Sequence, residues 1–156
     1  MEYFMGYDSP VGRLLLTSDG ESLTGLWMNR PVPGESALPL FGQVRAWLDA
    51  YFRGENAPID FPLAPKGTEF QRQVWKLLLE IPYGCTRTYG DIAREMAVLR
   101  GKQKMSAQAV GQAVGSNPIS IIIPCHRVVG AKGKLTGYAG GLEKKSWLLR
   151  HEEVIL

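Results

Sequence analysis

Between residues 55 and 67 the chain carries Pro58, Pro62, Pro65 and Gly67 with no helical period, and this stretch separates halves of different character. Proline fixes φ and lacks an amide proton, so neither a helix nor a central strand can run through it. Three strand-like runs and one helical pattern precede it, and helical patterns follow it. The charge changes sign at the same place. Residues 1–65 carry four Arg, no Lys and eight acids (−4), whereas residues 66–156 carry fourteen Lys and Arg against seven acids (+7). In 156 residues there is room for one domain or two small ones. The reading is an N-terminal domain with its linker over 1–65 and a second domain over 66–156.

In the first half, residues 3–7, 13–17 and 23–28 are short β-prone runs separated by Ser-Pro-Val-Gly and Ser-Asp-Gly-Glu, which predicts an antiparallel meander. Phe41, Val44, Leu48, Tyr51 and Phe52 recur at helical spacing until Gly54, predicting a helix that covers one face of this sheet. In the second half, Thr68 and Gln71 form a capping-box pattern ahead of Phe70, Val74, Leu77 and Leu78 on one helical face. A second helix is expected from Thr88 through Met96. A third fits 106–114, with Ala107, Val110 and Val114 inward, and Asn117-Pro118 stops it. A last helix over about 142–153 carries Trp147, Leu148 and Leu149. The class is α+β: a small antiparallel sheet with one helix, then a mainly helical domain.

The third of these helices would present Gln108, Gly111, Gln112 and Gly115 outward, a face of little bulk and no acid. Two successive short helices with such a face follow helix-turn-helix logic, in which the second enters a groove and its amides bond there. The same small residues would equally let a neighbouring helix pack closely. The basic second half points to a polyanion, or to a solvated surface with a chance imbalance.

Residues 121–128 read Ile-Ile-Ile-Pro-Cys-His-Arg-Val. A thiol at the end of a buried apolar run, beside the potentially cationic His126 and Arg127, is placed to act as a thiolate nucleophile. The second cysteine, Cys85, lies in a turn-like Tyr-Gly-Cys-Thr and has no expected role. Cys85, Cys125, His126 and His151 match no usual zinc spacing, so neither metal nor cofactor is expected. No apolar stretch approaches the roughly 20 residues of a membrane span. The N-terminus lacks a basic start and a cleavage site, so a cytoplasmic protein with reduced thiols is expected.

Phe70-Gln-Arg-Gln-Val-Trp75, Ile81-Pro-Tyr-Gly, Arg87-Thr-Tyr-Gly-Asp-Ile-Ala93, Ala109-Val-Gly, Asn117-Pro118, Pro124-Cys-His-Arg-Val128, Thr136-Gly-Tyr-Ala-Gly-Gly141 and Lys145-Ser-Trp-Leu-Leu-Arg-His-Glu152 occur in this order. Together they resemble the O6-alkylguanine-DNA alkyltransferases. The resemblance covers nearly all of 66–153, while the first 60 residues match in pattern rather than motif. It implies a ribonuclease-H-like N-terminal domain and a winged-helix or helix-turn-helix C-terminal domain. It also implies a monomer that binds double-stranded alkylated DNA through the minor groove, with no membrane partner.

The implied reaction is a single-turnover transfer of an alkyl group from guanine O6, or from thymine O4, to Cys125. The family relay of cysteine, bound water, histidine and glutamate maps onto Cys125, His126 and Glu152. Tyr89 would rotate the 3′ phosphate, Asn117 would brace the active-site segment, and Tyr138 would hydrogen-bond at the guanine. Val128 lies in the segment whose backbone reads that base. Gln108, Ala109, Gly111, Gln112 and Arg127 make up the DNA-contacting set. Many members place an arginine immediately before Ala-Val-Gly to fill the gap left by the extruded base. Here Gln108 stands there, shorter and uncharged, but able to donate and accept. Zinc ligands of some relatives have no evident counterpart.

Two other classes compete: a non-catalytic binder or regulator at alkylated DNA, and an unrelated cysteine hydrolase using Cys-His-Glu for acyl transfer.

Overall fold

The computed structural model describes residues 1–138 and 140–154; Ala139, inside the 136–141 motif, lies outside them. Strands β1 (Tyr3–Ser9), β2 (Gly12–Ser18) and β3 (Leu23–Met28) form an antiparallel sheet in sequence order. Tight registers such as Met5 opposite Leu16 and Leu16 opposite Leu26 stack apolar side chains on one face. Helix α1 (Pro39–Phe52) buries Leu40, Phe41, Val44, Leu48 and Tyr51. It is tied to β1 by Tyr7, whose hydroxyl donates to Asp49 at 2.6 Å and whose ring stacks on Phe52. The expected meander with one covering helix is therefore present.

Contacts group the chain into two units, 1–66 with 118–122 and 67–117 with 123–156. In the first, Leu23 bridges Leu63, and Leu26 bridges Ile119 along the β3 edge. Ile121 and Ile122 are buried in that unit but not in a strand. Ile121 adopts φ 69°, and the Ile122 amide donates to the Ser120 carbonyl at 2.8 Å, making a left-handed three-residue turn. For a β-branched residue that backbone stores on the order of 1–3 kcal/mol.

The second unit is helical, with α2 (Glu69–Leu79), α3 (Tyr89–Leu99), α4 (Ala107–Gly115) and α5 (Leu142–His151). A two-residue parallel ladder joins β4 (Arg87–Thr88) to β5 (Val128–Val129). Thr68 and Thr88 each close a capping box, with Gln71 and Asp91 respectively. Thr88 is thus the N-cap of α3, and Ser106 caps α4. Helices α2, α3 and α4 pack on one another around Val74, Trp75, Leu78, Ile92, Met96, Val110 and Val114. The Trp75 indole donates to the Ala113 carbonyl at 2.8 Å.

Two inward assignments change. Ala107 is exposed, and the buried face of α4 is made by Val110, Ala113 and Val114, because the first turn of α4 projects beyond the core. Phe70 is only half-buried, since α2 turns Trp75 inward instead. Among the described residues no helix is long and apolar enough to cross a membrane.

Candidate active site

Cys125 opens a single 3-10 turn, Cys125–Arg127, that leads directly into β5. Pro124 sets it up: with φ −81° and ψ 65° it forms an inverse γ-turn, and the Cys125 amide donates to the Ile123 carbonyl at 2.7 Å. The ladder with β4 and the packing of α5 then hold the turn from two sides. Cys125, His126 and Arg127 are all buried, and Cys125 is 5% exposed.

Around the sulfur stand Asn117, Tyr138, Lys145 and Tyr89. The Asn117 amide donates to the Ile123 carbonyl at 2.8 Å, and its side chain also hydrogen-bonds to the thiol; the buried Tyr138 hydroxyl acts on the thiol in the same direction. Lys145 is fully buried and donates to the carbonyls of Val128 at 2.6 Å and Thr136 at 2.7 Å. Burial lowers its pKa to about 8, and an ionised Cys125 would pull the other way. Tyr89, at the start of α3, is pushed up by burial, while a hydrogen bond with Thr136 acts against this. A Cβ added to Gly111 would lie 3.8 Å from the Tyr89 ring, so α4 and Tyr89 adjoin.

On the other side, His126 Nε2 lies 2.6 Å from Glu152 Oε2. Glu152 sits at the C-cap of α5 and is 2% exposed. Its carboxylate also accepts from Arg127 Nε at 2.8 Å, from Arg127 Nη2 at 3.2 Å and from the Gly84 amide at 3.2 Å. Gly84 can offer that amide because it adopts φ 79°; a Cβ there would sit 3.2 Å from the Glu152 carbonyl oxygen. Burial alone would raise the Glu152 pKa, but His126 and Arg127 outweigh it and hold the carboxyl well below the usual range. Burial lowers the His126 pKa against the pull of Glu152, so the imidazole is neutral near pH 7. A neutral ring facing a carboxylate through Nε2 carries its proton there, which leaves Nδ1 as the basic atom. Nδ1 is buried with no hydrogen-bond partner among the described residues.

Two expectations are corrected here. Burial pushes the Cys125 thiol up, opposed by Asn117, Lys145 and Tyr138, so the resting sulfur is protonated rather than a stored thiolate. Of the two cations expected beside it, neither supplies a net charge, because His126 is neutral and Arg127 is paired with Glu152; the positive group acting on the sulfur is Lys145. Arg127, placed with the DNA contacts, is buried instead, and its Nη1 donates to the Ile81 carbonyl at 2.8 Å.

The rest of the expected DNA-facing set lies along α4. Gln108 and Gln112 are exposed, while Ala109 and Gly111 are half-buried. A groove of about 670 Å³ beside α4 is lined by Thr68, Phe70, Gln71, Ala109, Gln112 and Ser116. It holds no titratable side chain; its polar groups are the amides of Gln71 and Gln112 and the hydroxyls of Thr68 and Ser116.

Lys145 went unassigned from the sequence. A signal was present: Lys145, Leu148, Leu149 and Glu152 fall at i, i+3, i+4 and i+7, one helical face. A charge at each end of a buried apolar stripe marks groups drawn inward for a purpose. Cys85 is free and exposed, and among the described residues no cluster of His, Cys, Asp or Glu could hold a metal.

The chain matches two family models, the ribonuclease-like domain of 6-O-methylguanine DNA methyltransferase over residues 3–65 and the DNA-binding domain over 69–154. A methylated-DNA–protein-cysteine methyltransferase of Haemophilus influenzae is 47% identical, covering 97% of this chain and 87% of that protein. One from Methanosarcina acetivorans is 46% identical, covering 96% and 97%. The crystal structure of the Mycobacterium tuberculosis O6-methylguanine methyltransferase superposes with a TM-score of 0.85 at 45% identity, covering 98% of this chain and 93% of that one. A second structure of the Mycobacterium tuberculosis protein, in complex with DNA, gives 0.84 at 44% identity, covering 97% and 92%. With relatives this similar across almost its whole length, and a buried cysteine set beside a histidine–glutamate pair, the chain belongs to the O6-methylguanine-DNA methyltransferase family.

Proposed function

We propose that this protein repairs DNA by direct reversal, taking the alkyl group of an O6-alkylguanine onto Cys125 Sγ once per chain. Thymine O4 is the second candidate donor. The observation that carries the reading is the orientation of His126: Glu152 accepts a hydrogen bond from its Nε2–H, and the bare Nδ1 is left as a base in a buried turn with the thiol.

In the reaction, His126 Nδ1 removes the thiol proton through a bridging water, and Glu152 stabilises the imidazolium that forms. The thiolate attacks the alkyl carbon, the C–O6 bond breaks as the S–C bond forms, and the electron pair returns to guanine. A hydrogen bond from the Tyr138 hydroxyl at O6 makes guanine a better leaving group. Making the thiolate only at the moment of reaction suits a sulfur whose resting form is neutral.

A base stacked in a duplex cannot reach a buried sulfur, so the nucleotide is rotated out at a cost of a few kcal/mol. Helix α4 enters the minor groove with its small, acid-free face, Gln108 fills the gap, and Tyr89 turns the 3′ phosphate. Asn117 braces the turn, and the Val128 segment reads the guanine. The protein acts as a monomer in the cytoplasm.

Intact mass spectrometry after incubation with O6-methylguanine DNA tests this. The expected result is one added methyl per chain, on the Cys125 peptide and absent in Cys125→Ala. No mass gain would favour a lesion binder, and product in excess of protein would favour a hydrolase.

A further inference from the structure

The Arg127 guanidinium adds a component that a cysteine–histidine–glutamate relay does not by itself require. It takes both Glu152 oxygens, through Nε at 2.8 Å and Nη2 at 3.2 Å, while Nη1 is anchored on the Ile81 carbonyl at 2.8 Å just past α2. The Tyr83 ring lies 5.7 Å from the guanidinium carbon. None of these contacts reaches the sulfur.

We propose that Arg127 is a positioning residue that keeps His126 available as a base, by neutralising Glu152 before the imidazole can be protonated. This rests on the alkyl-transfer reading and extends it by one residue.

The argument is one of charge in a dry site. With Arg127 present, the group of Arg127, Glu152 and neutral His126 carries no net charge, and a proton on His126 would make it +1. Without Arg127, Glu152 and neutral His126 carry −1, and protonating His126 removes that charge. Buried sites resist net charge strongly. A bare histidine–glutamate pair would therefore rest as imidazolium and carboxylate, with Nδ1 already protonated and unable to accept from the thiol. Arg127 reverses that preference and leaves the geometry of Nε2 on Oε2 unchanged.

The other charged groups acting on His126 are few. Lys145, on α5, opposes its protonation as Arg127 does, and Glu152 favours it. Cys125 adjoins it in the same turn, and Tyr83 faces Arg127 and Glu152 from the α2–β4 loop. Helix α2 contributes the Ile81 carbonyl through its following residues.

The test uses Arg127→Gln, which keeps an amide donor but no charge, and Arg127→Lys, which keeps the charge but cannot bind both oxygens and Ile81. The chain has two histidines, so imidazole NMR with a His151→Gln background reads His126 alone. Expected is a His126 titration at least one pH unit higher in Arg127→Gln and close to the parent in Arg127→Lys. The acid limb of the single-turnover alkyl-transfer rate should move with it. If Gln and Lys shift the titration alike, or neither does, the proposal falls. Should Arg127→Gln fail to fold, Arg127→Met paired with Glu152→Gln removes both charges together. His126 must then titrate as in the parent, and a rise of a unit or more would again overturn the proposal. The titration does not depend on transfer, so a parent protein that takes no alkyl group would sink the functional reading and leave this one standing.

Discussion

Replacing Glu152 by alanine removes a carboxylate that accepts four hydrogen bonds and is 2% exposed. Arg127 stays behind, buried, with the Ile81 carbonyl and the Tyr83 ring beside its charge but no carboxylate among the contacts described for it. Breaking a buried ion pair from one side costs about 3–5 kcal/mol, because the remaining charge loses both its partner and its water. A carboxylate at a helix C-terminus is disfavoured by about 0.3–1 kcal/mol, and removing it returns only that much. The net loss is about 2–4.7 kcal/mol, and for a chain of this size each kcal/mol lowers Tm by roughly 2–4 °C, so a fall of roughly 4–19 °C is expected in a calorimetric or circular-dichroism melt. Alkyl transfer should be lost as well. Pairing Arg127→Met with Glu152→Leu should recover much of the stability, since an apolar pair can replace a buried ion pair at little cost, while transfer stays absent. A loss below about 1 kcal/mol for Glu152→Ala would place the residue among ordinary surface pairs and refute the reasoning.

Acid should destabilise the protein in two stages. The folded His126 pKa lies below its unfolded value, so the unfolded chain gains a proton first, and stability falls as pH drops through about 6.5. Glu152, held low, adds stability that is present above about pH 4.3 and is lost below it as the pH falls toward its folded pKa. Urea midpoints between pH 8 and 3 measure both stages, and the first should vanish in His126→Gln. Thr68→Ala and Thr88→Ala each break a capping box and should each cost about 1 kcal/mol in chemical denaturation. Gln108 is exposed, so Gln108→Ala should leave Tm unchanged yet reduce base extrusion reported by a fluorescent base analogue; equal extrusion would remove Gln108 from that role.

Local order and the turn around Cys125 were legible because they depend on neighbours in sequence. Three prolines and a glycine mark where the strand-rich half ends, the capping pair Thr68–Gln71 announces one helix start, and Pro124 marks the turn that carries Cys125. Side-chain orientation at helix ends was less legible: Ala107 fits an inward pattern yet lies in solvent, because periodicity cannot tell how far a helix extends past its core.

Charge states were decided only by the tertiary structure. From the sequence, His126 and Arg127 are two cations beside a thiol. Once folded, Glu152 arrives from 25 residues beyond Arg127 and claims both, so Arg127 is buried and His126 is neutral. Lys145 is likewise an ordinary helix lysine until α5 docks and three backbone carbonyls enclose its ammonium. Residue order specifies which groups can ionise. Which of them do depends on desolvation and on partners that are distant along the chain, and both exist only after packing.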